Sequence, residues 1–341
     1  MEKYIYIVAA VSGILTFVLT VILSRIIIPI LKSRKMGQKI LDIGPRWHKS
    51  KEGTPTMGGI AFIFAMTVAM IVVIVVLSVK NEKVPVMLTA TFVYALSCAF
   101  IGCIDDSAKL RKKQNEGLTA IQKLTLQIVT SSAYTAALVY FGCIGSSLYI
   151  PYFNVWIEDL GIVYYAFVVF MLVGVNNAVN LGDGIDGLAS SEVLVIGAFF
   201  IAAAFGKYGQ ITAVASELGV LGACMIGAAA GFLVYNFHPA RVFMGDTGSL
   251  FFGALVMGGA IMLDNPLIVI VYGFMFILEA VSVIIQVGYF KLTHGKRFFK
   301  MAPIHHHFEK CGWSENEVVA VFAAATLIFS ILAYFGLYSV M

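Results

Sequence analysis

Residues 4–30 form an almost unbroken apolar run, and similar runs recur at 58–79, 86–104, 121–142, 162–181, 189–205, 214–235, 248–263, 266–290 and 317–338. The runs are continuous and do not alternate, so they do not read as strands of a membrane barrel. Each approaches the roughly 20 residues that an α-helix needs to cross a hydrocarbon core. In lipid, every backbone donor and acceptor must be paired within its own segment. The pattern therefore predicts an all-α polytopic membrane protein of about ten transmembrane helices. The break between the eighth and ninth runs falls at Asp264, Asn265 and Pro266, a turn signal in which Pro266 suits the first turn of the next helix. No soluble domain, low-complexity tract or repeat interrupts the chain, so 1–341 reads as a single integral-membrane domain.

Composition agrees with that class. Hydrophobic residues are 60% of the chain and charged residues 12%, about half the charge of a soluble domain; mean hydropathy is +0.91. The basic residues are unevenly shared. The segment 31–57 holds Lys32, Arg34, Lys35, Lys39, Arg46, Lys49 and Lys51, and 105–120 adds Lys109, Arg111, Lys112 and Lys113. Arg241 follows in 236–247, and Lys291, Lys296, Arg297, Lys300 and Lys310 in 291–316. The alternate connections offer only Lys3, Lys80, Lys83 and Lys207. Basic loops mark the cytoplasmic side, so both termini are expected on the outer side. Arg25 sits at the far end of the first run, unlike the basic start of a signal peptide, so that run is expected to remain as a span.

Two features call for no chemistry. The five cysteines are scattered without metal spacing and read as small apolar filler. Ala215, Gly219, Ala223, Gly227 and Gly231 recur every four residues and predict a face for close helix packing.

With orientation assigned, the acids fall on one side. Asp105 and Asp106 end the third run. Asp183 and Asp186 lie in "NNAVNLGDGIDGLASS" between the fifth and sixth runs, and Asp246 in "NFHPARVFMGDTGSL" between the seventh and eighth. His305, His306 and His307 lie in "MAPIHHHFEK", in the last cytoplasmic loop. Each motif alone has a plainer explanation: a solvated helix end, a Gly-rich turn with a capping Asp, or a solvated loop. Jointly these explanations weaken, because each must hold independently on the same face. The outer loops add only Glu82, Glu158, Asp159 and Asp264.

The chemistry that suits this set is metal-assisted phosphoryl transfer. Hard carboxylate oxygens without thiolates favour Mg²⁺ or Mn²⁺ over zinc. Gly182, Gly184 and Gly187 admit close backbone approach, and the N-termini of the sixth and eighth helices turn positive dipole ends toward anions. Among the cations, Lys109 and Lys123 are singled out for phosphates. Lys109 is one helical turn beyond Asp105, and Lys123 opens the fourth run. The remaining basic residues are accounted for by topology alone.

The motifs "GTPTMGG", "IDDSAK", "NNAVNLGDGIDGL", "FMGDTGSL" and "APIHHHFE", in this order along the whole chain, resemble the polyprenyl-phosphate N-acetylhexosamine-1-phosphate transferases. "GTPTMGG" and the histidine tract are similar to the branch with a UDP-N-acetylmuramoyl-pentapeptide donor. The resemblance implies a Mg²⁺-dependent phosphoglycosyl transferase of the bacterial inner membrane, with its site facing the cytoplasm. It would make lipid I and UMP from that donor and undecaprenyl phosphate, the first membrane step of peptidoglycan synthesis. Its implied partners are those two substrates and membrane lipid; a homodimer is admitted and nucleic acid is not expected. It also implies Phe243 as a stacking surface for uridine, with Asn177, Asn180, Asp183, Asp186, Asn236 and Gln286 as polar contacts, and His305, His306 and His307 near the diphosphate or sugar.

On this reading Asp246 and Asp105 take the metal, Asp105 also orients or deprotonates the lipid phosphate, and Asp106 supports metal or lysine; exchanged roles stay open. Direct attack by the lipid phosphate is preferred over an aspartyl-phosphate intermediate. A phosphate monoester has a second pKa of about 6 and is largely dianionic at neutral pH. A UDP-N-acetylglucosamine donor is the nearest alternative. An ion-coupled transporter is disfavoured because coupling acids belong near the bilayer midplane, where Glu279 is the one clear candidate and has no assigned role.

Overall fold

The structure is a computed structural model that describes residues 3–34, 51, 53–81, 84–112, 117–206 and 214–337. Lys35, Lys39, Arg46, Lys49, Lys83, Lys113 and Lys207 of the charge asymmetry, and Glu82 of the outer loops, lie outside the described residues. The helices are α1 (Lys3–Ser33), α2 (Gly59–Asn81), α3 (Val86–Lys112), α4 (Ala120–Tyr140), α5 (Ile162–Gly182), α6 (Leu188–Phe205), α7 (Ala215–Asn236), α8 (Gly245–Met262), α9 (Val269–Tyr272), α10 (Phe274–Leu292), α11 (Ile304–Lys310) and α12 (Glu315–Leu337). Among the described residues, nine of these are long and apolar enough to cross a membrane. The fold is thus the expected all-α polytopic membrane protein. Helix α4 has 21 residues and so the necessary length, but Gln122, Lys123, Gln127, Ser131 and Ser132 spread polar groups along it, and it is not among the nine. Its start is fixed by a capping box in which Thr119 and Gln122 each satisfy the other's backbone N–H.

Helix α8 is the axis of the bundle. Every residue from Thr247 to Met262 is buried, as expected for a helix apolar on all sides. It packs chiefly on α3 and α5. The row of small residues on α7 does what its spacing predicted. Helix α1 lies directly on it, so that a Cβ on Gly13 would stand 2.8 Å from the Ala223 carbonyl oxygen and one on Gly231 would stand 2.8 Å from the Thr20 Cβ.

Three elements differ from the sequence reading. The ninth span is divided: a 3₁₀ turn at Pro266–Ile268 leads into α9, and Gly273 separates α9 from α10. A hairpin, β1 (Leu148–Ile150) and β2 (Val155–Ile157), pairs antiparallel between α4 and α5. Strands of three residues are too short to register as a pattern. The histidine tract lies on α11 and not in open loop.

Up-and-down helices bring the C-terminal ends of α3, α5, α7 and α10 to the same end of the bundle as the N-terminal ends of α2, α4, α6, α8 and α12. The polar motifs, spread from Gly53 to Glu309 along the sequence, meet there.

Candidate active site

Helix α3 does not stop at the apolar boundary; it continues through Asp105 and Asp106 to Lys112. One turn on, Lys109 Nζ reaches Asp105 Oδ2 at 2.6 Å. Helix α8 starts beside this turn because Gly102 has no side chain: a Cβ there would lie 2.6 Å from the Thr247 backbone nitrogen. The close crossing places Asp246, in the first turn of α8, above Lys109 at 3.0 Å. Lys123 of α4 reaches the same Asp246 Oδ2 at 2.7 Å. Asn180, near the end of α5, donates to Asp246 Oδ1 at 3.0 Å and to Ser249 Oγ at 2.7 Å. Three helices thus converge on one carboxylate of a fourth.

The two adjacent acids have different surroundings. Asp106 accepts from the backbone N–H groups of Asp246 and Thr247 and from the Thr247 hydroxyl, at 3.2, 2.9 and 2.7 Å. It therefore caps α8 from another helix. Asp105 accepts from the Leu118 N–H at 2.7 Å. Both are buried. Asp105, Asp106 and Asp246 each present an oxygen within 4.8 Å of the others. The set contains no thiolate or imidazole, and such hard oxygens suit Mg²⁺ or Mn²⁺.

A second cluster stands beside the first, gathered around Asp186 on the turn between α5 and α6. Lys51 Nζ bridges Asp186 Oδ1 at 2.7 Å and Glu315 Oε2 at 2.6 Å, and His238 Nδ1 lies 3.0 Å from Asp186 Oδ2. These residues line a cavity of about 590 Å³ together with Trp313 and Glu317. Asp183 is half-buried in the same turn. Burial, followed by the charges of Asp246, Asp106 and Asp186, pushes its carboxyl well above the usual carboxylate range.

The structure therefore brings Asp105, Asp106, Asp246, Lys109, Lys123 and Asn180 into one site, with Asp183 and Asp186 next to it. Other residues named from the sequence have internal partners. Asn177 pairs with Gln127 on α4, donating at 2.8 Å. Asn236 accepts from Gly187 N–H at 3.1 Å and donates to the Val242 carbonyl at 3.0 Å, tying the two site turns together. Gln286 accepts from the Phe299 N–H at 2.8 Å and so holds the segment before α11. Phe243 is half-buried, and its backbone pairs with Pro55 and Gly58 at 2.8 Å in both directions. The histidines diverge. His305 is fully buried against Glu279 at 3.0 Å, His306 meets Glu309 at 2.6 Å, and His307 Nδ1 accepts from the Lys300 N–H at 3.1 Å.

The sequence pattern does not single out Glu315 or His238, and Lys51 reads there only as a cytoplasmic charge. No local signal could have found Glu315, which is 129 residues from Asp186. Lys51 and His238 stand within quoted or adjacent motifs, but only the fold makes them neighbours.

Comparison with known proteins assigns the chain to a family. The family model for glycosyl transferase family 4 matches residues 88–264, from α3 to the end of α8. Phospho-N-acetylmuramoyl-pentapeptide-transferase signature 1 matches residues 51–63, from Lys51 into α2. A phospho-N-acetylmuramoyl-pentapeptide-transferase of Clostridium acetobutylicum is 45% identical over 328 residues, spanning 96% of this chain and 98% of the relative. Those of Clostridioides difficile and Bacillus thuringiensis are 41% and 42% identical, over 95% and 96% of this chain and 97% and 98% of the relatives. With this identity across the full bundle and both acidic motifs, the chain belongs to the phospho-N-acetylmuramoyl-pentapeptide-transferase (MraY) family.

Proposed function

We propose that the protein transfers phospho-N-acetylmuramoyl-pentapeptide from its UDP-linked donor to undecaprenyl phosphate, giving lipid I and UMP. The observation that carries this reading is the convergence of Lys109, Lys123 and Asn180 on Asp246, with Asp105 and Asp106 beside it at one end of a membrane bundle. The soluble donor approaches from the cytoplasm and the lipid phosphate from the bilayer, so the two can meet only at headgroup depth. A basic, acid-lined bundle end meets that requirement, and its basic loops favour the cytoplasmic face.

The donor set fits a hard divalent cation, and Asp246 with Asp105 would hold Mg²⁺ or Mn²⁺. When bound, that ion neutralises the facing phosphates of the two substrates. The chain's own residues do the rest. Lys109 and Lys123 hold phosphate oxygens in place of the carboxylate oxygens they now grip. Asp105 orients the lipid phosphate, and Asp106 keeps the first turn of α8 in position beneath Asp246. The lipid phosphate, already largely dianionic, attacks without a strong base, so positioning carries most of the rate. At the donor's other end, Asp183, Asp186 and Phe243 take the nucleotide beside the 590 Å³ cavity. The polyprenyl chain enters laterally, beside α5 and α10.

The deciding experiment supplies purified protein with undecaprenyl phosphate, Mg²⁺ and one nucleotide sugar at a time. UMP is expected from UDP-N-acetylmuramoyl-pentapeptide and not from UDP-N-acetylglucosamine. The reverse preference would overturn the substrate assignment.

A further inference from the structure

Glu279 is a carboxylate in α10 with no surface exposure, a costly placement for an acid in a membrane bundle unless it is paired and used. Both of its oxygens go to one residue. Oε1 lies 3.0 Å from His305 Nδ1, and Oε2 accepts from the His305 backbone N–H at 3.4 Å. Ring and backbone are therefore held together, which fixes the orientation of the imidazole and not merely its location. The far edge of the ring is equally constrained. A Cβ on Gly184 would overlap His305 at Nε2, so the ring occupies the space left by that glycine. Nε2 itself is buried without a partner among the described residues.

Gly184 lies between Asp183 and Asp186. The same turn is pinned elsewhere by Glu315, which accepts from the Asp186 N–H at 3.2 Å, and by Asn236, which accepts from the Gly187 N–H. Those contacts hold only its second half. The first half carries Asp183 and is packed by the His305 ring against Gly184 and by the Phe276 ring against Gly182.

We infer that Glu279 is a positioning residue for donor binding: through His305 it props the 183–187 turn, and so sets where Asp183 and Asp186 meet the nucleotide. The inference rests on the proposed nucleotide role of that turn. A purely structural ion pair between α10 and α11 would act differently. Its loss would reduce the amount of active protein, lowering kcat and leaving both KM values alone. Loss of a prop beneath the donor subsite weakens donor binding and leaves the lipid substrate untouched.

The test compares wild-type protein with Glu279→Gln, which keeps the shape and one acceptor, and Glu279→Asp, which keeps the charge but withdraws it by one methylene. UMP binding is read by titration calorimetry, and kcat and KM are read for both substrates. In Glu279→Gln, UMP affinity should fall and donor KM should rise by about tenfold, the scale of one lost charged hydrogen bond. Saturated kcat and the KM for undecaprenyl phosphate should stay within about twofold. If Glu279→Gln does not fold, Glu279→Asp must show the same donor-specific change. Unchanged UMP affinity, or a fall in kcat with both KM values intact, overturns the inference alone. Failure of the wild-type protein to bind UMP would overturn the nucleotide reading as well as this inference.

Discussion

Asp106 and Thr247 are joined twice: the Asp106 carboxylate accepts from the Thr247 backbone N–H at 2.9 Å and from its hydroxyl at 2.7 Å. An acid of α3 thus supplies the cap that α8 lacks in its own preceding segment, where Met244 stands before the helix without a side-chain cap. A site residue here also secures the central helix of the bundle.

Asp106→Ala should therefore destabilise the protein by roughly 1–2 kcal/mol, the usual cost of a lost N-cap, besides reducing turnover. Asp106→Asn keeps an acceptor and should recover most of the stability. Thermal unfolding in detergent measures both. Equal melting temperatures for Asp106→Ala and wild type would contradict the capping role.

Asp246 has a different prediction because its partners are side chains that can be exchanged for ligands. Asp246→Asn should lose at least about a hundredfold in UMP release, as expected when a principal charge stabiliser is removed, yet fold normally. A chelator should abolish wild-type activity and added Mg²⁺ should restore it. Near wild-type turnover by Asp246→Asn at saturating Mg²⁺ would remove this residue from the metal site.

Asp183 makes stability depend on pH. Its carboxyl is raised in the folded protein by burial and then by neighbouring acids. The stabilisation from such a group is complete below the unfolded carboxylate's range and is lost as pH rises through the raised folded value. Asp183→Asn removes that titration. Its melting temperature, relative to wild type, should rise with pH across the window that opens above the unfolded carboxylate's range. A constant difference across that window would show that Asp183 does not titrate as its surroundings require.

Direct attack has a simple signature. Enzyme and donor without lipid should release no UMP and exchange no labelled UMP into the donor. An aspartyl nucleophile would give both, with a burst limited to one UMP for each site. The cluster disfavours the aspartyl route because Asp105 and Asp106 would approach an anionic diphosphate while Asp246 stands charged beside them. A lipid-independent burst from lipid-stripped protein would reverse the preference.

The hydrophobic pattern by itself determined the class, the number of long helices, and the end of the bundle at which the acids collect. That follows because lipid forces each apolar run to satisfy its own backbone as a helix, leaving little for tertiary contacts to decide. The small-residue row of α7 was legible for the same reason: spacing on a helix fixes its face. Asp105, Lys109 and Asp246 were readable as candidates because each sits beside an apolar boundary where a charge is costly. Only the tertiary structure separated Asp106 from Asp105, since capping depends on a crossing made possible by Gly102. It alone joined Lys51, Asp186, His238 and Glu315 around one cavity and matched Glu279 to His305 across 26 residues. Those relationships depend on which helix ends become neighbours, and hydropathy, which records depth in the membrane, carries no information about lateral position within it.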